Sequence, residues 1–206
     1  MNLDLADINS RYGRDAQQLI KWALSLEKTA ICTTNFRPYE AVLLHMLTQF
    51  RPDIPVVWMD NGYNTEATYR FANELTLLLN LNLTIYLPKR SRAHREALEG
   101  GVPELDDPRH AAFTEEVKLE PFARALREIS PQVWFTALRA TDTAERAQMQ
   151  PVSINQDGLI KVAPLLYWSS KEMYDYISQH HLPDNADYFD PTKGEEKREC
   201  GLHLSH

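Results

Sequence analysis

The residues best suited to covalent chemistry lie near the end of the chain, around a single cysteine. Cys200 follows two cations and precedes an imidazole in the run Lys197-Arg198-Glu199-Cys200-Gly201-Leu202-His203. A cysteine reacts as its thiolate, and nearby Lys, Arg or protonated His lowers the thiol pKa, whereas neighbouring carboxylates oppose that change. Because the run carries both signs of charge, the direction of the shift stays open. Its polar setting favours a nucleophile over the packed, inert role that a lone cysteine usually has.

The chain has only one other cysteine, Cys32, which falls in an apolar segment. Two cysteines so far apart form neither a disulfide framework nor a Cys-x-x-Cys pair, and the histidines complete no metal-ligand set with them. We therefore expect reduced thiols and no bound metal. A thiol inside a buried strand is a poor redox partner for Cys200.

Length and composition indicate one globular domain. With 206 residues, 43% of them apolar and 25% charged, the chain should bury roughly 70% of the surface that its unfolded form exposes. It has no apolar run near the ~18 residues of a membrane span and no secretory leader pattern, so we expect a cytoplasmic protein. The net charge of −7 argues against nucleic acid or anionic membranes as partners, although clustered arginines could bind a small polyanion. The sequence leaves open whether a homodimer forms.

The elements that must position these residues alternate between strands and helices. Short apolar runs predict five strands, at residues 29–34, 56–59, 83–87, 133–138 and 159–163. Helical spacing follows or precedes them, at residues 15–28, from Pro38 onward and at 66–79. This alternation predicts a doubly wound α/β fold with a mainly parallel five-stranded sheet and helices on both faces. Ligands bind such sheets beyond the carboxyl ends of the strands.

Two segments lack a clear period. Residues 89–107 are polar and contain Gly100-Gly101, which predicts a surface excursion. Residues 184–206 are rich in Asp, Pro, Glu and Lys, which predicts an irregular tail. We therefore divide the chain into an α/β domain, residues 1–183, which we expect to bind the ligand, and a C-terminal tail, residues 184–206, that carries Cys200.

Several polar residues fall where such a fold binds its ligand. The candidates for binding the oxygens of a small polyanion are the cations Lys118, Arg139, Arg146 and Lys161. Arg139 follows a predicted strand directly and is the strongest of the four, although a solvated surface charge is the plain alternative for each. The candidates in the first two strand-to-helix turns are Thr33, Thr34, Asn35, Asp60, Gly62 and Tyr63. The Asp-Asn-Gly sequence of the second turn is also ordinary turn chemistry without any ligand.

The tail run 197–203 resembles the carboxy-terminal signature of the phosphoadenylyl-sulfate reductase family. The similarity covers most of the chain in order, through residues 51–57, 60–63, 68–71, 118–121, 134–139, 146–147 and 161–164. The resemblance implies a sheet of the adenine-nucleotide-hydrolase type. It also implies that Lys197, Arg198 and His203 help to bind the nucleotide substrate.

What the resemblance implies for the chemistry is a covalent reduction. The thiolate of Cys200 would attack the sulfuryl sulfur of phosphoadenylyl sulfate, giving a cysteine S-sulfonate and adenosine 3′,5′-bisphosphate. Thioredoxin or glutaredoxin would then release sulfite. Iron–sulfur members of the family carry adjacent cysteines where this chain has Phe113 and Thr114. Their absence implies no bound cofactor and favours phosphoadenylyl sulfate over adenylyl sulfate.

The chain departs from the family pattern in two places. In the loop after the first strand, Arg37 stands at a glycine position and Pro38 removes a backbone donor, although the hydroxyls of Thr33 and Thr34 can still donate to an anion. The segment before Cys200 is also shorter than is usual. Two alternatives therefore stay open: a nucleotide-binding or regulatory protein with weakened catalysis, and a pyrophosphate-loop enzyme that uses ATP and magnesium.

Overall fold

The computed structural model describes residues 3–193, and the predictions for Lys197, Arg198, Cys200 and His203 lie outside the described residues. Within them a central sheet has the strand order β3-β2-β1-β4-β6-β5. The strands are β1 (Ala30–Thr34), β2 (Pro55–Met59), β3 (Asn82–Tyr86), β4 (Val133–Phe135), β5 (Val152–Ile154) and β6 (Ile160–Val162). All neighbouring pairs run parallel except β5 with β6.

Eight α-helices cover this sheet in the described residues. They are α1 (Leu5–Tyr12), α2 (Ala16–Ser25), α3 (Glu40–Phe50), α4 (Glu66–Leu79), α5 (Arg92–Glu99), α6 (His110–Thr114), α7 (Glu120–Ile129) and α8 (Ser170–His180). A π-helical turn, Glu115–Leu119, joins α6 to α7. Such turns are rare and often lie at functional sites.

Alternating side chains of the buried strands fill two cores. Cys32 of β1 and Phe135 of β4 face the larger one, which also contains apolar side chains of α2, α3, α4 and α8. Ile31 and Trp134 face the smaller one, under α7. β1 is buried along its whole length, as expected for a strand in a parallel sheet that helices cover on both faces. The predicted α/β architecture with a mainly parallel sheet is confirmed.

The strand count of five was one too few. The sixth strand, β5, is an edge strand of three residues and pairs antiparallel with β6, with Val152 opposite Val162. Only Val152 of β5 is buried, whereas β4, equally short, is buried throughout. This edge strand therefore leaves no apolar run in the sequence.

Two local predictions also need correction. The segment 89–107 contains the eight-residue helix α5. Pro38 lies in the turn before α3 and not in its first helical turn, because α3 begins at Glu40 after Tyr39, which has a left-handed backbone (φ 69°). In the described residues, no helix is long and apolar enough to cross a membrane.

Candidate functional site

A pocket opens at the carboxyl edge of the sheet, between the ends of β1 and β4. The chain leaves β1 toward β2 on one side and returns to β4 on the other, so this is the switch point at which doubly wound sheets bind ligands. The pocket holds about 630 Å³ of empty space, its open mouth included. It is lined by Thr33, Thr34, Asn35, Arg37, Glu40, Met59, Lys118, Thr136, Ala137, Leu138, Arg146, Tyr188, Asp190 and Lys193.

One wall of the pocket is an ion pair between Lys118 and Asp190. Lys118 lies in the π-helical turn, and its ammonium donates to the Asp190 carboxylate and to Thr192 Oγ1, 3.2 Å away. Burial raises the pKa of Asp190, but the charge and hydrogen bond of Lys118 outweigh it and hold that pKa below its usual value. The ion pair thus fixes a cation at the pocket and ties residue 190 to the helical layer.

A second wall is built around one carboxylate, that of Asp142. Its Oδ2 accepts hydrogen bonds from Arg37 Nη1 at 2.8 Å and Arg146 Nη1 at 3.0 Å, and its Oδ1 accepts one from Arg139 Nη2 at 3.1 Å. Burial raises the pKa of Asp142, yet the three guanidinium groups lower it overall. Three cations around one anion leave a surplus of positive charge, and two of the three, Arg37 and Arg146, line the pocket.

The loop after β1 is held by its own side chains. Thr34 Oγ1 accepts a hydrogen bond from the Phe36 backbone N–H at 3.1 Å, and Asn35 Oδ1 accepts one from the Arg37 N–H at 3.3 Å. Thr33 Oγ1 accepts the indole N–H of Trp134 at 2.8 Å. The backbone N–H groups of Phe36 and Arg37 are therefore satisfied within the loop and do not form the backbone nest that a glycine-rich turn offers an anion.

Residues 184–193 form an irregular strap, of which Tyr188, Asp190 and Lys193 line the pocket. Within the strap, Asn185 is 3% exposed, and its side-chain amide donates to the Phe36 carbonyl at 2.9 Å and to Thr68 Oγ1 at 3.0 Å. The hydroxyl of Tyr188 accepts from Asn35 Nδ2 at 2.7 Å. With the Lys118–Asp190 pair, these bonds join the strap to the loop after β1, to α4 and to the π-helical turn.

The turn after β2 lies beside the pocket but does not line it. Asp60 Oδ1 accepts from the Gly62 backbone N–H at 2.9 Å, from Asn64 Nδ2 at 2.8 Å and from the Tyr69 hydroxyl at 2.9 Å. Gly62 has a positive φ of 80°, which a β-carbon would disfavour. The ring of Tyr63 packs on Phe113. All three predicted residues thus have structural contacts, and their role in binding stays a prediction.

The structure gathers five of the predicted residues around the pocket: Thr33, Thr34, Asn35, Lys118 and Arg146. Arg139 does not line it, because its guanidinium binds Ser170 Oγ at 3.0 Å and Asp142, and lies over the Tyr39 ring. Lys161 lies on β6 with its ammonium 5.3 Å from the Trp134 ring centroid. The roles of both in binding stay predictions.

The sequence analysis did not identify several residues that form the site: Glu40, Asp142, Tyr188, Asp190 and Lys193. Close spacing was the local signal of these pairs, since Asp142 lies four residues from Arg146 and three from Arg139, and Glu40 lies three from Arg37. Cys32 fits its predicted role, since it is fully buried and burial raises its thiol pKa, with the Glu40 charge adding to the effect. Among residues 3–193, no group of three or more His, Cys, Asp or Glu side chains could hold a metal ion.

Comparison with known proteins adds independent information. The family model described as phosphoadenosine phosphosulfate reductase domain matches residues 29–190. A phosphoadenosine 5′-phosphosulfate reductase from Synechococcus sp. is 34% identical, over 97% of this chain and 97% of its own length. The protein of the same name from Cronobacter sakazakii is 36% identical, over 97% of this chain and 91% of its own length.

Solved structures agree at the level of the fold. A phosphoadenylyl-sulfate reductase from Candida auris, solved as a phosphate complex, superposes with a TM-score of 0.76 at 21% identity and covers 90% of this chain and 91% of its own. NMN synthetase from Francisella tularensis matches with a TM-score of 0.53 at 12% identity, over 88% of this chain and 73% of its own. At these identities the likenesses show a shared fold.

Proposed function

The chain belongs to the phosphoadenosine phosphosulfate reductase family, and from that premise we propose how its own residues reduce phosphoadenylyl sulfate, the family's substrate, in sulfate assimilation. The observation that supports the proposal best is the pocket at the switch point of the sheet, with Lys118 and Arg146 in its walls. Cations at this edge suit a nucleotide that carries phosphate and sulfate groups.

We assign the chemistry to Cys200. Its thiolate attacks the sulfuryl sulfur, a new S–S bond forms, and the bond from sulfur to the bridging oxygen breaks, so adenosine 3′,5′-bisphosphate leaves. A thiolate of thioredoxin or glutaredoxin then attacks the Cys200 sulfur and sulfite departs with the electron pair of the S–S bond. The second thiol of the partner resolves the resulting mixed disulfide. The two electrons that reduce the sulfur therefore come from the partner's dithiol, and no bound cofactor takes part.

The strap supports this assignment through its direction. Lys193 lines the pocket, and Cys200 follows seven positions later in the sequence. Seven residues span at most roughly 25 Å when fully extended, so the covalent chain lets the thiol reach substrate in the pocket. Lys197, Arg198 and His203 are proposed to assist binding as the tail approaches. Because the partner's thiols must be reduced, we place the reaction in the cytoplasm.

The loop after β1 counts against an ATP-using pyrophosphate-loop activity. Such an enzyme needs backbone donors for pyrophosphate, whereas the N–H groups of Phe36 and Arg37 are taken by Thr34 and Asn35. The activity is tested by sulfite release from purified protein with thioredoxin, comparing phosphoadenylyl sulfate with adenylyl sulfate. We expect sulfite from phosphoadenylyl sulfate. Absence of sulfite from both substrates, with a thioredoxin that reduces a control enzyme, would contradict the proposal.

Two arginines with a shared partner allow the proposed binding site to be mapped. We expect Arg146→Ala to weaken the binding of adenosine 3′,5′-bisphosphate by about 10- to 100-fold, the loss of one or two charge-assisted hydrogen bonds. Arg139→Ala should weaken it less, because Arg139 binds the same Asp142 but does not line the pocket. Isothermal calorimetry measures both. A larger effect of Arg139→Ala would move the anion site to the outer side of Asp142.

A further inference from the structure

Arg37 occupies the place where the resemblance predicts glycine, and its side chain is fixed at three points. Nε donates to Glu40 Oε1 at 3.2 Å, Nη1 to Asp142 Oδ2 at 2.8 Å and Nη2 to the Ala137 carbonyl at 2.8 Å. Ala137 follows β4, whereas Arg37 follows β1, so the guanidinium bridges the two strand ends between which the pocket opens. A side chain held by this many bonds is pre-organised and loses little freedom on binding a ligand.

The same guanidinium still has donors to offer. Arginine carries five N–H groups, and three of those of Arg37 bind Glu40, Asp142 and Ala137. Within the described part of the chain, one N–H of Nη1 and one of Nη2 have no protein acceptor. Both terminal nitrogens of the planar fork thus keep a donor, and a guanidinium can bind two oxygens of a phosphate or sulfate through its terminal nitrogens. Arg37 lines the pocket, and its side chain is 23% exposed.

The carboxylates beside Arg37 do not cancel its charge. Asp142 is shared with Arg139 and Arg146, so one negative charge serves three cations. Glu40 is 6% exposed, and burial raises its pKa although Arg37 opposes the change. Burial disfavours a charged Arg37, yet Glu40 and Asp142 raise its pKa further above the ordinary value. Arg37 is thus a permanent cation in a wall that keeps a positive surplus.

We infer that Arg37 is a substrate ligand, and that its guanidinium supplies from a side chain the anion donors that the loop backbone does not offer. The inference rests on the proposed function and deepens it, because it assigns to Arg37 the oxyanions of the 5′-phosphosulfate group. Asp142 and Glu40 are its positioning residues. This arrangement replaces a flexible backbone nest by a fork anchored to both strand ends.

Binding measurements in a protein that cannot turn over substrate test the inference directly. In a Cys200→Ser background, calorimetry compares wild-type Arg37 with Arg37→Ala and Arg37→Lys, using phosphoadenylyl sulfate and adenosine 3′-phosphate, which lacks the 5′ group. We expect Arg37→Ala to weaken the binding of phosphoadenylyl sulfate about 10- to 100-fold, the loss expected for one bidentate charged contact. Arg37→Lys should restore only part of this affinity, because an ammonium cannot keep the bonds to Glu40, Asp142 and Ala137 and also bind a pair of substrate oxygens. Adenosine 3′-phosphate should bind to all three proteins with the same affinity.

The control is Arg90→Ala. Arg90 is also held by two carboxylates, those of Glu99 and Glu116, but it does not line the pocket, so its loss should leave both ligands unaffected. Equal weakening of both ligands by Arg37→Ala would show that the side chain only supports the loop and would overturn the inference. Unchanged or tighter binding of phosphoadenylyl sulfate by Arg37→Ala would also overturn the inference, by showing that Arg37 occupies space in the pocket without binding the substrate. Failure of the wild type to release sulfite, with these affinities intact, would instead contradict the proposed function alone.

Discussion

Replacing Cys200 by serine should abolish sulfite release from phosphoadenylyl sulfate while leaving the fold unchanged. The reason is chemical and does not depend on nucleophilicity alone. A thiolate that accepts the sulfonyl group forms an S–S bond, which a second thiol can break with release of sulfite. A serine that accepted the same group would form a sulfate ester, and hydrolysis of that ester gives sulfate. The expected result is no sulfite at any thioredoxin concentration, measured with a thiol-independent sulfite assay.

The matched control for this experiment is the other cysteine. Cys32→Ala should keep sulfite release, because the Cys32 thiol is fully buried in β1 and burial raises its pKa. Mass spectrometry of wild-type protein mixed with substrate, without reductant, should show one added sulfonate group on the tail peptide. A thioredoxin that lacks its resolving cysteine should be trapped on Cys200. Sulfite release by Cys200→Ser, or a sulfonate on Cys32, would refute the assignment of the nucleophile.

Four strands of the sheet, β1, β2, β4 and β6, were predictable because most of their residues are buried. β1 is covered on both faces, so every residue of Ala30–Thr34 is buried. A buried strand can be recognised in the sequence as a short run of mainly apolar and β-branched residues. The helix α5 was not predictable in this way. Its only buried residue is Arg95, whose guanidinium lies 4.5 Å from the Phe113 ring centroid, and it is supported by the pairs Arg92–Glu96 and Arg95–Glu99. A helix whose inner face is an arginine has no apolar period for the sequence to display.

Only those parts of the site that match the family's sequence pattern were predictable. The strand-end position of Thr33 and Thr34 and the lysine at 118 could be read from order and type. The pairing of Arg37 with Asp142 could not, since Asp142 is 105 positions away and meets Arg37 only when β1 and β4 lie side by side. The same holds for Asp190, which the sequence analysis assigned to an irregular tail. In the structure, residues 184–193 contain the buried Asn185, Asp190 and Thr192. The division of the chain at residue 184 into domain and tail stays a prediction.

The buried position of Asp190 leads to the second large expected effect. Asp190→Ala should lower the free energy of unfolding by about 3 kcal/mol, the lower end for removal of one partner from a buried ion pair. The side chains of Lys118 and Asp190 are 12% and 5% exposed, and Asp190 Oδ1 also accepts the Thr192 N–H at 3.0 Å and its hydroxyl at 2.7 Å. For a chain of this size the loss corresponds to a fall of roughly 6–12 °C in Tm. Chemical denaturation and calorimetric scanning measure the two quantities.

The pH dependence of this effect has a definite sign. Because Lys118 holds the pKa of Asp190 below its usual value despite burial, the ionised carboxylate stabilises the fold at pH values above the unfolded pKa of about 3.9. That stabilisation is lost as the pH falls through the lower folded pKa. The difference in unfolding free energy between wild type and Asp190→Ala should therefore be constant near neutral pH and shrink below about pH 4.

Asp187→Ala provides the comparison for Asp190→Ala. Asp187 lies in the same strap with an exposed residue surface, and it is its backbone carbonyl that accepts from Thr65 Oγ1 at 2.8 Å, so the substitution should change stability by less than about 0.5 kcal/mol. If Asp190→Ala is equally mild, the Lys118–Asp190 pair does not anchor the strap. If it is destabilising but leaves the KM for phosphoadenylyl sulfate unchanged, the pair anchors the strap without positioning Lys118 for substrate. A fall in stability together with a raised KM is the result expected of a pair that joins the strap to the binding pocket.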